Sequence, residues 1–314
     1  HMIRIVEVGP RDGLQNETAS IPTETKVEFI NRLSVSGVSE IEVSAFVSPK
    51  LVPQLSDAGR VFEKIHRSEN IVYSALVPNI KGFDRALEAG VEKISVFTAA
   101  SETFNRKNIN TSVQGSLDRF KPVLERARAV KLPVRGYIST AFWCAFEGRI
   151  APDKVAELSQ QLLDMGIDEL AISDTIGKAT PDDVSGLFDM MLKTIPADRI
   201  AAHYHDTYKN GVANVLKSLS YGIETIDASV GGLGGCPFAP GAAGNVSTQD
   251  VAKALAEAGR PSAVDTAALS EAVQILEPYL VDEKRQRPAA LSQACTVCEH
   301  FNGKTCCGKE PVPA

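Results

Sequence analysis

The sequence predicts an α/β protein, a (β/α)8 TIM barrel with extra C-terminal helices. Eight short β-rich runs alternate with eight amphipathic stretches along the chain. Parallel neighbours need a helical, right-handed crossover, and eight such units close a barrel. With 314 residues the chain can build one such barrel around a substantial core. The alternative is an open doubly wound sheet, which would need more fully apolar strands and a switch point.

The expected strands are IRIVEVG (3–9), SEIEVSA (39–45), NIVYSALV (70–77), VEKISVFTA (91–99), LPVRGYIS (132–139), IDELAISDT (167–175), IAAHYHDT (200–207) and GIETIDASV (222–230). Helices are expected near 24–36, 58–67, 80–89, 115–130, 152–165, 182–194, 209–221 and 247–258. Pro152 and Pro181 suit a first helical turn, and Asp153 and Asp182 behind them favour the positive end of the helix dipole. A further helix is expected over 264–280, packed outside the barrel. The domain reading is a barrel over 3–260, a helical extension over 261–285 and a cysteine-rich mobile tail over 286–314.

Hydrophobic residues make up 44% and charged residues 23%, as in a soluble globular protein. The net charge of −6 argues against non-specific nucleic-acid or anionic-membrane binding. No apolar run approaches the ~18 residues of a membrane span. Arg4, Glu7, Arg11 and Asp12 come too early for a secretory signal, so a cytoplasmic location is expected. Cys144 and Cys236 lie alone in the body, whereas Cys295, Cys298, Cys306 and Cys307 crowd the tail, so no disulfide framework spans the fold.

Function in such a barrel sits at the C-terminal ends of the strands. Polar residues collect there: Arg11-Asp12, Glu42, Arg135 and Tyr137, Asp174, His203 and His205, then a loop with Cys236 and Asn245. His203 and His205 stand two apart on one strand, so they share a side at roughly 6.5–7 Å. Facing inward, they would meet Asp12 across the barrel and could grip one cation. The plainer alternative is a pair of hydrogen-bonded core or surface histidines. The mixed nitrogen and oxygen donors suit manganese. Magnesium normally prefers oxygen, and zinc or cobalt could also bind.

Residues 231–244, GGLGGCPFAPGAAG, lack the Lys-Ser/Thr of a phosphate loop and the dinucleotide fingerprint, so no nucleotide cofactor is expected. They read better as a hinged loop closing over the site with Cys236 as its reactive group. Arg11 is placed to stabilise an enolate or thioester oxygen. The alternatives are a buried filler cysteine and a structural Arg11–Asp12 pair.

VEVGPRDGLQNE (6–17), EVSAFVSPKLVPQ (42–54), RKNIN (106–110), VRGYIS (134–139), SDTIG (173–177), HYHDTY (203–208) and GLGGCPFAPGAAGN (232–245) together resemble the 3-hydroxy-3-methylglutaryl-CoA lyase family. The Arg-Asp and His-x-His pairs are shared more widely, with isopropylmalate and homocitrate synthases. The resemblance implies retro-Claisen-type cleavage of an acyl-CoA into acetyl-CoA and acetoacetate, with Mg²⁺ or Mn²⁺ as cofactor. It assigns Asp12, His203, His205 and Asn245 as metal ligands, Arg11 as enolate stabiliser and Cys236 as an acid/base group, with Asp12 or a metal-bound water as the group that takes the hydroxyl proton. Glu42, Tyr137 and Asp174 would support the substrate. It also implies a homodimer or homotetramer, and a place in leucine degradation and ketone body metabolism.

Three departures bear on the substrate. Gln249 stands where these lyases usually carry Glu, one helical turn from Asn245. Trp143-Cys144-Ala145-Phe146 replaces Gly-Cys-Pro-Tyr, and a bulky Trp143 is expected to narrow or reshape the acyl pocket. The cysteine-rich end is unusual; Cys295, Cys298, His300, Cys306 and Cys307 supply enough ligands for a small zinc site or form an oxidation-prone tail. A related substrate such as citramalyl-CoA is therefore the competing reading, and a non-catalytic metal- or redox-sensing barrel is the alternative of a different class. Lys50, Arg106, Lys107 and Lys178, expected in strand-to-helix loops, are the candidate CoA-phosphate contacts.

Overall fold

The computed structural model describes residues 2–235 and 243–280. Ten strands are present among them: β1 Arg4–Glu7, β2 Glu40–Ala45, β3 Val72–Leu76, β4 Lys93–Ala99, β5 Val134–Ser139, β6 Trp143–Cys144, β7 Gly148–Arg149, β8 Glu169–Asp174, β9 Ile200–Tyr204 and β10 Thr225–Ala228. Eight of them close a barrel in the order β1-β10-β9-β8-β5-β4-β3-β2, every pair parallel. Each barrel strand falls inside the run expected for it. The antiparallel ribbon β6–β7 was not expected; its two-residue strands are too short to show an alternating pattern.

The helices are α1 Thr23–Leu33, α2 Ala58–Lys64, α3 Ile80–Glu88, α4 Glu102–Ile109, α5 Val113–Ala129, α6 Pro152–Asp164, α7 Pro181–Met191, α8 Gly211–Leu219, α9 Thr248–Glu257 and α10 Thr266–Leu276. Pro152 and Pro181 open α6 and α7 as expected. The Thr180 hydroxyl caps α7 reciprocally with Asp183, satisfying donors that the first turn leaves orphaned. Helix α4 was missed because it is polar and carries no apolar stripe, although the Ser101 hydroxyl caps it by accepting from Phe104 N at 3.0 Å. Helix α10 leans on α1, where Asp265 N donates to Ser36 O at 2.8 Å.

The main hydrophobic core lies between strands and helices, with Phe29, Phe62, Phe83, Phe188 and Leu170 fully enclosed. Inside the barrel the packing is different. Lys93, Glu40, Arg135 and Asp227 are buried, and with half-buried Glu169 they form a ladder of ion pairs accompanied by a small apolar cluster of Ala45, Leu76, Ala171, Ala201 and Phe97. A bulge in β2 between Glu42 and Ser44 resets its alternation. Both Glu42 and Ala45, three apart, therefore reach the interior.

Candidate active site

Strand β1 runs into a π-helical turn, Gly9–Gly13, that carries Arg11 and Asp12. Such turns are rare and concentrate at functional sites. Buried Glu7 holds this turn in place. It accepts hydrogen bonds from Gly9 N at 2.9 Å, Val230 N at 2.9 Å and the Thr248 hydroxyl at 2.7 Å, tying three segments of the barrel mouth together. Burial raises the Glu7 carboxyl to about 7 despite those bonds. Alternation alone could not have singled out Glu7, since two of its three partners, Val230 and Thr248, lie more than 220 residues away.

On β9, alternation sends Tyr204 outward, where its hydroxyl meets Ser218 of α8 at 2.7 Å, and turns His203 inward. His203 Nε2 lies 3.4 Å from Asp12 Oδ2. His205, just past the strand, has its ring 5.8 Å from that of His203 and pairs through its backbone with Asn245. The Asn245 side-chain amide donates to Asp12 Oδ2 at 3.0 Å. The four residues expected as ligands thus meet at the C-terminal end of the barrel.

One ligand atom from each of Asp12, His203 and His205 falls within 4.8 Å of the others. Donors at about 2.1 Å from a shared six-coordinate ion lie roughly 3 Å apart, so the cluster fits a cation. His205 Nδ1 is buried with no hydrogen-bond partner among the described residues, an orphaned donor atom of the kind a metal would satisfy. Burial opposes charge on His203, but hydrogen bonds to Asp12 and Asp227 outweigh it and lift the imidazole to about 9. Burial and the neighbouring His203 push His205 down to about 4. Burial works against ionised Asp12 too, yet Arg11 and His203 hold it well below the usual carboxylate range.

Arg11 is buried beside this cluster. Its Nε donates to Glu42, its Nη1 lies 3.3 Å from Asp12 Oδ1, and its guanidinium stacks 5.3 Å from the Tyr137 ring centre. The other Glu42 oxygen accepts from the Tyr137 hydroxyl at 2.8 Å and Ser95 Oγ at 3.1 Å. Glu42 therefore aims Arg11 and Tyr137 from below. A cavity opens above them, lined by Arg11, Asp12, Tyr137, His203, His205 and Asn245, with Leu76, Phe97, Phe104 and Phe146 on its apolar side.

Several expected residues fall elsewhere. Asp174 is the last residue of β8, and alternation turns it away from the cavity that Ser173 and Thr175 line. It is fully buried, accepts from Ala179 N at 3.1 Å, and burial raises it to about 7. Trp143 does not narrow the cavity; its indole donates to Asp183 at 3.3 Å and its ring lies under Lys178 Nζ at 4.2 Å, while Phe146 supplies the lining. Gln249 is not directed at the ligand cluster. Its Oε1 accepts from Gly231 N at 2.9 Å and Ser247 Oγ at 3.2 Å, anchoring the start of the glycine loop, where Gly231 and Gly232 adopt φ of +63° and +66°.

Arg106 and Lys107 stand on α4 rather than in a loop, and of the four candidate CoA contacts only Lys107 lines the cavity, with its ammonium 4.7 Å from the Phe146 ring centre. Lys50 and Lys178 are exposed in loops. Cys236 and the tail with Cys295, Cys298, Cys306 and Cys307 lie outside the described residues.

A closed parallel barrel with a buried arginine beside an Asp–His–His cluster at its strand ends defines a metal-binding (β/α)8 enzyme. The chain belongs to the HMGL-like family, which it matches over residues 2–276. It is 47% identical over 270 residues to the cytoplasmic 3-hydroxy-3-methylglutaryl-CoA lyase of Rattus norvegicus, covering 86% of this chain and 79% of that one. The solved hydroxymethylglutaryl-CoA lyase of Pseudomonas aeruginosa superimposes with a TM-score of 0.87 at 44% identity, covering 91% of this chain and 95% of that one. A lyase from Acinetobacter baumannii, solved in complex with coenzyme A and 3-methylmalate, gives 0.84 at 36% identity, covering 99% and 98%. Relatives carry both cytoplasmic and mitochondrial names. The match makes this chain a carbon–carbon lyase and leaves the non-catalytic sensing barrel without support.

Proposed function

We propose that this chain cleaves 3-hydroxy-3-methylglutaryl-CoA to acetyl-CoA and acetoacetate. The observation that carries the reading is the convergence of Asp12, His203 and His205 beside buried Arg11 in one cavity. Asp12, His203, His205 and Asn245 would hold Mg²⁺ or Mn²⁺, which supplies Lewis-acid polarisation of the substrate's 3-hydroxyl and carbonyl oxygens.

In the reaction the 3-hydroxyl gives its proton to Asp12 or to water in the cavity, the C2–C3 bond breaks, the hydroxyl oxygen becomes the ketone of acetoacetate, and the bonding electrons pass into the thioester as an enolate; the proton released from the hydroxyl balances the one the enolate carbon takes up. Arg11 is permanently charged and already desolvated, so it can stabilise that enolate oxygen without reorganising. Glu42 and Tyr137 keep it from swinging away. Arg11 and His203 hold Asp12 well below the usual carboxylate range, as suits a cation ligand. The enolate carbon then takes a proton, and a thiol with a pKa near ~8.5 can give one at neutral pH, the role we assign to Cys236. The apolar wall of Leu76, Phe97 and Phe146 limits water around the reacting carbons.

Lys107 is the CoA contact the geometry favours, because it lines the mouth of the cavity. The coenzyme A in the Acinetobacter baumannii complex supports an acyl-CoA substrate, and its 3-methylmalate favours a second reading with a shorter diacid such as citramalyl-CoA. Among the described residues no helix is long and apolar enough to cross a membrane. We assign the chain to the cytoplasm on its rat relative's name, and, on the sequence resemblance to the lyase family alone, propose a homodimer or homotetramer acting in leucine degradation and ketone body metabolism. The test is one assay of 3-hydroxy-3-methylglutaryl-CoA and citramalyl-CoA side by side, with Mg²⁺ or Mn²⁺, following acetyl-CoA. The proposal expects faster product from the first; product only from the second moves the substrate, and none from either removes the reading.

A further inference from the structure

Asp227 has no place among the residues that sequence or family resemblance singles out, yet it lies under the cation cluster. It sits on β10 in register with His203 on β9 and is almost completely buried. His203 Nδ1 lies 2.8 Å from Asp227 Oδ2. The same carboxylate receives both terminal nitrogens of Arg135, at 2.6 Å and 2.8 Å. Arg135 is fixed in turn by Glu169 at 2.6 Å and by the Tyr137 hydroxyl at 3.2 Å, and Lys93 bridges Glu169 to Glu40. Every group facing Asp227 in this set is a donor or can become one.

We propose that Asp227, held by Arg135, is the positioning residue of the cation site, fixing the ring and tautomer of His203 so that Nε2 presents its lone pair beside Asp12. The physical chain is short. A neutral imidazole carries one proton on one of its two nitrogens, and a carboxylate at Nδ1 selects the Nδ1–H form. Once a cation takes the place of a proton there, Nε2 is the bare nitrogen, and it is the atom 3.4 Å from Asp12 Oδ2. Arg135 meets the carboxylate with both terminal nitrogens, and this two-pronged grip stops it rotating away. The ion ladder inside the barrel thereby acquires a function: it transmits a fixed orientation from the strand starts to the metal end.

The inference deepens the cation reading and rests on it. Its test compares Mn²⁺ affinity, measured by calorimetry, of the full chain and of Asp227→Ala, Asp227→Asn and His203→Ala. Asp227→Ala is expected to weaken Mn²⁺ binding by about 10–100-fold. Asp227→Asn keeps an oxygen acceptor for Nδ1–H and is expected to recover most of that loss; a merely structural role would not single out the acceptor. A chain that binds Mn²⁺ independently of His203 overturns the cation reading itself. A chain that needs His203, with Asp227→Ala at parental affinity or Asp227→Asn no better than Asp227→Ala, overturns only the role of Asp227. Nitrogen-15 NMR of the parental chain with Mg²⁺ stands independently of any variant's folding: Nδ1 of His203 is expected to carry the proton, and a proton on Nε2 contradicts the proposal.

Discussion

Asp12 and Asp174 are both acids at the end of a barrel strand, and the two regions they occupy could hardly behave more differently. Asp12 rides a π-helical turn into the cavity, where Arg11, His203 and Asn245 surround it and it stays ionised. Asp174 turns outward beneath the β8–α7 connection, where only backbone N–H groups soften the cost of burial and its proton is held to about 7. Its Oδ1 has no hydrogen-bond partner among the described residues. Burial raises both carboxyls; what separates them is whether cations face the group. A strand-end acid is thus a site residue only if the alternation, or a break in it, delivers it to the barrel axis.

Four experiments press on that contrast, beginning with the largest effect. Asp12→Asn should lose at least about 100-fold in Mn²⁺ affinity, exceeding what an outer-shell partner costs, whereas Asp174→Asn should stay within about threefold of the parent. Equal losses from the two, read by calorimetry, would erase the distinction.

The second experiment reads stability against pH. In the folded chain Asp174 and Glu7 hold their protons to about 7, while in the unfolded chain they release them near the ordinary carboxylate values of 3.8 and 4.5. Between those limits the folded state binds more protons, so stability is greatest below about pH 4 for these groups and falls as pH rises towards 7. Each group contributes a slope of up to about 1.4 kcal/mol per pH unit in that window. Urea unfolding at pH 5, 6 and 7 should show Asp174→Asn with a shallower decline than the parent; an unchanged slope would mean that Asp174 is ionised in the folded state.

The third concerns the cavity mouth. Lys107→Ala should raise KM for the acyl-CoA several-fold with little change in kcat, because a phosphate contact made equally in ground and transition states is lost. Lys50→Ala and Lys178→Ala, outside the cavity lining, should leave both constants near the parent's. The smallest effect is expected from Gln249→Glu. A carboxylate oxygen can still accept from Gly231 N, so Mn²⁺ affinity should change by less than about twofold despite the added charge.

The fold was largely legible because its signals are local. Eight runs of strand-like residues and helix-opening prolines at 152 and 181 were enough to order the barrel. The ligand cluster was legible for a similar reason: His203-x-His205 shares one face, and Asp12 lies in the turn that follows β1, the strand that pairs, through β10, with theirs. What escaped depends on contacts between distant segments. Asp227 and Glu7 look like ordinary strand acids until Arg135, His203 and Thr248 are brought against them. The outward turn of Asp174 follows from strict alternation, while the inward reach of Ala45 depends on a bulge that spacing does not announce. Trp143 was misplaced because the ribbon that carries it, β6–β7, leaves it against Lys178 and Asp183.

The most direct measurement is anomalous diffraction from crystals of the chain grown with Mn²⁺. One peak per chain, within coordinating distance of Asp12 and both imidazoles of His203 and His205, is the expected result. A peak bound elsewhere, with His203 and His205 contacting no ion at saturating Mn²⁺, would contradict the account at its centre.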